Sequence, residues 1–229
     1  MRIAAVAVPL TLAVGLAGSA SAAEGYWTSI FHDLVAGPAR TSEFRWQGRV
    51  AAGRTVEIRG VNGSIQAMAG TGDQVEVVAT RRGRRSDPDS VQIRTIGHDG
   101  GVTVCALYPS SDPALPNECL PGGKGRMNSK NNDVNVAFVV KVPAGVRLFA
   151  RTVNGAIDAS ALSADVDAET VNGSVKIETS GVARAQTVNG SVHAAMGRAD
   201  WASDLELRTV NGSIHVTLPA TAGTTVNAE

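Results

Sequence analysis

The sequence predicts an all-β fold, a β-solenoid of stacked rungs, and three observations carry that prediction. A five-residue unit, Val-Asn-Gly-Ser-Ile, recurs at 61–65, 153–157 (with Ala156 for Ser), 171–175, 188–192 and 210–214, with Val replacing the final Ile in two copies. The last four copies begin at 153, 171, 188 and 210, steps of 18, 17 and 22 residues. That is the period of a repeat whose units bury their apolar faces against their neighbours. The flanks of each copy alternate apolar with polar, which is the period-2 mark of a half-buried strand.

Taken in chain order, residues 1–22 read as a secretory signal peptide. Arg2 supplies the positive start, Ile3 to Ala17 a short apolar run, and Ala20-Ser21-Ala22 a small-residue cleavage site. The run is short for a bilayer span, no Cys follows the cleavage site to carry a lipid, and no later segment has the length and apolarity to cross. The mature chain is therefore expected outside the cytoplasm, in the periplasm, on the cell surface or secreted. Losing residues 1–22 removes Arg2 and no acid, which leaves 20 basic against 21 acidic side chains. A chain so close to neutral has neither a nucleic-acid footprint nor a polybasic membrane signal. Residues 23–42 lack a period and read as a linker or N-terminal arm, with the β domain over 43–229.

Within that domain, 75–79, 91–96, 102–107 and 134–142 alternate as ordinary strands. Arg81, Arg82, Arg84 and Arg85 are followed at once by Asp87 and Asp89, the mark of a solvated hairpin loop. Residues 108–133, rich in Pro, Gly, Asn and Ser, read as a long loop. The two cysteines, Cys105 and Cys119, are expected to pair in an exported chain and to stabilise that loop by ~2–3 kcal/mol. With no further Cys and no nearby His, a metal or redox role is not expected.

The repeat itself is most informative when its copies are aligned on the Val. Four residues on stand Ile65, Ile157, Val175, Val192 and Ile214, and three residues before stand Ile58, Ala150, Ala168, Ala185 and Leu207. Buried positions are odd upstream and even downstream, so the chain must bend at Val-Asn-Gly, where Asn and Gly tolerate unusual backbone angles. A meander of Asn-Gly hairpins or a solenoid corner would both do this. Recurrence of residue type favours the corner, because stacked rungs make equivalent positions direct neighbours. The expected corner ladder is Asn62-Gly63, Asn154-Gly155, Asn172-Gly173, Asn189-Gly190 and Asn211-Gly212, with amides bonding from rung to rung. Arg151 is expected to face Glu169, and Asp158 to face Lys176.

From about Phe44 to the end, the chain resembles the bacterial "putative adhesin" family, a domain of unknown function. The resemblance rests on the Val-Asn-Gly-Ser units, on the run Val104-Cys105-Ala106-Leu107-Tyr108-Pro109, and on Val142-Pro143-Ala144-Gly145-Val146. Met196-Gly197 ahead of Trp201, then Leu218-Pro219-Ala220, fit the same pattern. It implies a right-handed β-helix, an envelope or surface location, and no established catalysis.

Four copies spell an N-glycosylation sequon, but the copy at 153 keeps Asn154-Gly155 and loses the hydroxyl, so the corner is what recurs. Asp165, Asp167 and Glu169 alternate onto one strand face and form the best catalytic candidate, since β-helix enzymes can act on acidic polysaccharides with such acids. Glu169 is, however, the natural partner of Arg151, and alternating acids also describe a solvated face. His193 and His215 are expected about 5 Å apart on adjacent rungs, without an evident third metal ligand. His32 and His98 read as polar surface. Trp201 falls in the longest step and reads as a loop residue covering the core edge.

The function these features predict is an exported, non-enzymatic envelope or surface interaction module without a cofactor, its partner an envelope glycan or a surface protein. The alternatives are a carbohydrate-active enzyme acting through Asp165, Asp167 and Glu169, and a structural or sensor partner in an envelope-stress system. The C-terminal sequence Val226-Asn227-Ala228-Glu229 matches Val166-Asp167-Ala168-Glu169, which leads straight into a repeat unit. The last rung is thus expected to be incomplete, with end-to-end association at its exposed edge.

Overall fold

The computed structural model describes residues 38–201, 205–220, 222–223 and 225. The segment expected to be a signal peptide, most of the 23–42 segment and most of the C-terminal tail lie outside the described residues. The first half contributes β1 (Arg40–Arg49), β2 (Thr55–Arg59), β3 (Ile65–Ala69), β4 (Gln74–Gly83), β5 (Gln92–His98), β6 (Gly101–Leu107) and β7 (Asn135–Val142), with a 3-10 turn at Pro88–Ser90. The second half contributes β8 (Arg147–Arg151), β9 (Ile157–Leu162), β10 (Val166–Glu169), β11 (Val175–Thr179), β12 (Ala183–Gln186), β13 (Val192–Met196), β14 (Leu207–Arg208) and β15 (Ile214–Thr217).

These strands form two mixed sheets. One has the order β1-β4-β7-β3-β9-β11-β13-β15, the other β14-β12-β10-β8-β2-β6-β5. From β8 onward the chain alternates between the sheets, and each strand lies parallel to the strand two places earlier. Leu148 thus aligns with Val166 and then Ala183, while Ile157 aligns with Val175, Val192 and Ile214. Between the two strands of every layer sits an Asn-Gly corner. Asn62, Asn154, Asn172, Asn189 and Asn211 are joined in that order as parallel bridges.

The copy at 61 is not remote. β2 pairs with β8 and β3 with β9, which sets it directly against the copy at 153. On its other side lie β6 and β7, also parallel. Beyond these the pairing becomes antiparallel, with β5 on β6, β4 on β7 and β1 on β4. One end of the molecule is therefore built of antiparallel strands and the other of repeated parallel layers.

The core follows the alternation read from the sequence. Val56, Ile58, Ile65, Ala67, Leu148, Ala150, Ile157 and Ala159 are all buried, as are their counterparts in β10 to β13. Phe138 on β7 is the largest fully buried side chain, whereas Ala150, Ala168 and Ala185 stack where the two sheets approach. In β15 the equivalent Ile214 and Val216 are exposed, because no further described strand covers them.

Two expectations need correction. β1 begins at Arg40, so residues 40–42 belong to a strand and not to an arm. β4 continues to Gly83, which puts Arg81 and Arg82 in the sheet; only Arg84 and Arg85 lie in the turn. Lys176 does face Asp158 in the register, as expected, although its closest ion pair is with Glu178 on its own strand (3.0 Å), while Asp158 accepts from Ser160. Side chains two apart on one strand face the same way, and that geometry competed successfully with the cross-strand pair.

Candidate functional site

The corner is the most regular surface of the molecule. Each Asn side chain donates from Nδ2 to Oδ1 of the Asn in the preceding layer, at 2.8 Å in all four steps from Asn62 to Asn211. A second ladder runs just inside it. Thr152, Thr170, Thr187 and Thr209 each donate from Oγ1 to the carbonyl of the preceding layer's corner Gly, at 3.1, 2.9, 2.8 and 2.7 Å. The glycines are required by this closeness. A Cβ on Gly155, Gly173 or Gly212 would overlap the carbonyl oxygen of the Gly beneath it. The Val that opens each of the last four units points outward: Val153, Val171 and Val188 are each 38% exposed and Val210 is 61% exposed, whereas Val61 packs partly buried against the core. The Asn, Thr and Gly positions thus build the stack, and the valines leave an apolar stripe on it.

The acids flagged from the sequence lie on the outer face of β8, β10 and β12. β10 sits between its two neighbours in parallel register, so Asp167 stands between Phe149 and Arg184, and Glu169 between Arg151 and Gln186. Glu169 is committed, since both its oxygens accept from Arg151 at 2.7 Å. Asp165 is committed too, with Oδ1 accepting from the Val182 amide at 3.0 Å. No hydrogen bond joins the Asp167 carboxylate to another described residue. Burial, with the nearby Glu169 charge, raises its pKa above the ordinary Asp value, opposed by Arg184 and Arg151. Arg151 lies over the Phe149 ring, 4.7 Å from its centroid. A cleft of about 440 Å³ opens here, lined by Arg147, Phe149, Asp165, Asp167 and Arg184 and bordered by His98 and Gly122. Chemically it offers one unpaired carboxylate, the Arg184 guanidinium, that of Arg147 already donating to the Gly53 carbonyl (2.7 Å), and an aromatic edge.

Sequence reasoning missed what closes the cleft. Glu57 and Arg59 on β2 share this face, yet both are buried under the 108–133 loop. Glu57 accepts from Thr103 Oγ1 (2.8 Å) and from the Gly122 and Gly123 amides (2.9 and 2.7 Å). Arg59 donates to the carbonyls of Leu120 and Lys124, and its pKa is lowered by burial, with Glu57 opposing. The expected disulfide is present: Cys105 and Cys119 are joined with Cα atoms 5.9 Å apart, holding the same loop. Tyr108 anchors the loop's start by donating to the Val134 carbonyl (2.8 Å), and burial raises its phenol to about 12. Contacts of this kind leave no periodic trace in the sequence; an acid and an Arg at positions that alternate outward were the available hint.

The remaining candidates resolve simply. His193 and His215 stack with ring centroids 4.7 Å apart, and no group of three or more metal-ligating side chains occurs among the described residues. Trp201 is half-buried and packs against the core. Of the four sequon asparagines, Asn172, Asn189 and Asn211 donate their side-chain amides to the ladder, and Asn62 accepts at its end. No helix among the described residues is long and apolar enough to cross a membrane.

No family profile matches the chain, and no curated protein sequence does. Among solved structures, it is similar to a "putative cell adhesion protein" from Clostridium sporogenes ATCC 15579, with 8% identity and a TM-score of 0.42 over 79% of this chain and all of that one. It is also similar to a "putative adhesin" from Bacteroides fragilis NCTC 9343, with 9% identity and a TM-score of 0.30 over 77% of this chain and 95% of that one.

Proposed function

We propose that this chain is an exported β-solenoid, a right-handed β-helix, that acts as a non-enzymatic interaction module of the cell envelope or surface. Alternation between two sheets, with parallel register from layer to layer, supports the solenoid. The hand follows from the strong preference of crossovers between parallel strands in one sheet. The disulfide supports export, because such bonds persist in oxidising compartments.

The observation that carries the function is the cleft on the outer face of β8, β10 and β12. There Asp167 is unpaired among Arg147 and Arg184, while the acids that could have completed a catalytic set are committed to Arg151 and the backbone. Such a face recognises hydroxyls and mixed charge, as an envelope glycan or a polar protein surface presents them.

The test is co-sedimentation of the purified mature chain with isolated cell-wall glycan and with whole envelope fractions. Retention is expected, and Asp167→Asn and Arg184→Ala should weaken it about tenfold each with unchanged thermal midpoints. Turnover of a polysaccharide panel that disappears in Asp167→Asn would replace this reading with an enzymatic one. Retention indifferent to both variants would remove the cleft from the account.

A further inference from the structure

A second cavity, of about 490 Å³, lies at the antiparallel end, between the edge strands β1 and β5. This volume is within the range that holds small ligands. Its residues belong to neither the repeat nor the acidic face, apart from His98, which borders both openings.

The cavity has an apolar side and a polar side. Trp46 on β1 supplies an indole, lying back across Gly48, where any side chain would collide with the ring. Val50 and Val102 continue this wall. The indole N–H donates to no described residue. From β5, Thr95 lines the cavity, and its hydroxyl, shielded from solvent, has no hydrogen-bond partner among the described residues. Such an orphan is unfavourable, and a turn of the Thr95 side chain toward an occupant able to hydrogen-bond would relieve it. Gly97 leaves the space open, since a Cβ there meets no atom within 4 Å. At the rim, Arg54 is held in place by donating to the Asp99 carbonyl, and the Asp99 side chain brings a negative charge alongside.

An indole face, unspent hydrogen-bonding groups of both kinds and a rim that carries both signs of charge describe the recognition of a neutral, polyhydroxylated ring. The C–H face of such a ring stacks on an aromatic while its hydroxyls bond at the edges. We infer that the Trp46–Thr95 cavity is a saccharide-binding site that seats a single neutral sugar ring, such as a terminal residue of a glycan. This does not depend on the outer-face cleft, and the two sites have separate variants.

The experiment is a ¹⁵N NMR titration of the mature chain with glucose, galactose, mannose and N-acetylglucosamine, read at the Trp46 indole N–H and the Thr95 and Gly97 amides. At least one sugar should shift these signals saturably while leaving the Asp167 and Arg184 amides in place. Gly97→Val, which grows into open space, and Thr95→Val, which keeps the side chain's shape, should each weaken that sugar about tenfold or more with the spectrum otherwise intact. The proposal is overturned if none of the four sugars moves these signals. It is also overturned if decanoate moves them and the sugars do not, or if Gly97→Val binds as tightly as wild type.

Discussion

The two ends of this molecule reach stability by opposite means. From β8 to β15 every layer repeats the last: the same Asn bonds to the same Asn, the same Thr to the same Gly carbonyl, and the buried positions hold Val, Ile and Ala. From β1 to β7 hardly any contact is used twice. Glu57 clamps a loop 65 residues away, Tyr108 secures that loop's start, a disulfide ties it to β6, and the bulky Phe138 is buried in the core. The difference teaches where each half is vulnerable. A repeated contact is individually small and summed over layers, whereas a unique contact has no substitute.

The largest effect should come from inserting a methyl group between layers. Gly173→Ala places a Cβ against the Gly155 carbonyl oxygen, where neither backbone can yield without breaking the Asn and Thr ladders. A loss of about 3 kcal/mol or more is expected in denaturant unfolding. Near-wild-type stability would mean that the layers are further apart than described here.

Next comes the unique clamp. Glu57→Ala leaves Arg59 buried beside three orphaned donors, and should cost about 3 kcal/mol. Its signature separates it from the glycine variant: limited proteolysis should cut first within 108–133, with β9 to β13 still protected from hydrogen exchange. Global loss of protection at the same denaturant concentration would show the two halves to be one cooperative unit.

A single ladder rung should matter less. Asn172→Ala and Asn189→Ala each remove two exposed amide bonds and should lower stability by about 1 kcal/mol. If both variants match wild type, the ladder orders side chains without holding the layers.

The smallest effect concerns Asp133, whose carboxylate accepts from the Arg84, Arg85 and Ser86 amides at 3.1, 3.0 and 2.7 Å. These bonds hold its pKa well below the ordinary value of 3.8. A depressed folded-state pKa contributes stability that is present above 3.8 and lost as the pH falls into the strongly acid range. The group is almost fully exposed, so solvent screening makes the contribution well under 1 kcal/mol. Asp133→Asn should therefore be slightly less stable than wild type at neutral pH, with the gap narrowing below 3.8 as measured by thermal midpoint. A gap that stays constant to strong acid would assign the effect to hydrogen-bond geometry alone.

What could be read beforehand follows the same division. The repeat half was legible because stacking makes equivalent residues see the same surroundings, so a shared environment became a shared residue. That reasoning located the corner, the buried positions and the Arg151–Glu169 pair. It gave no warning that the Val of each of the last four units faces outward, because period-2 parity counted from Ile157 assigns that Val to the core and the bend reverses it. The other half was legible as strands, the Asn62 corner and the loop held by the Cys105–Cys119 pair. Its pairing order, the insertion of β6 and β7 beside β2 and β3, and the cavity between Trp46 and Thr95 all depend on contacts between residues distant in sequence. Of the acidic face, the sequence contained the three acids and their shared direction, but not the amide that engages Asp165 or the burial that sets Asp167 apart.

The central claim is that successive Asn-Gly corners lie directly on one another. It is tested most directly by NOE contacts among the side-chain amide protons of Asn62, Asn154, Asn172, Asn189 and Asn211. The stack predicts contacts between each Asn and the next in that order, 62 to 154 included, with the bonded amide protons protected from exchange with water. Rapidly exchanging amides whose contacts stay within their own repeat units would contradict it and restore a meander of separate Asn-Gly hairpins.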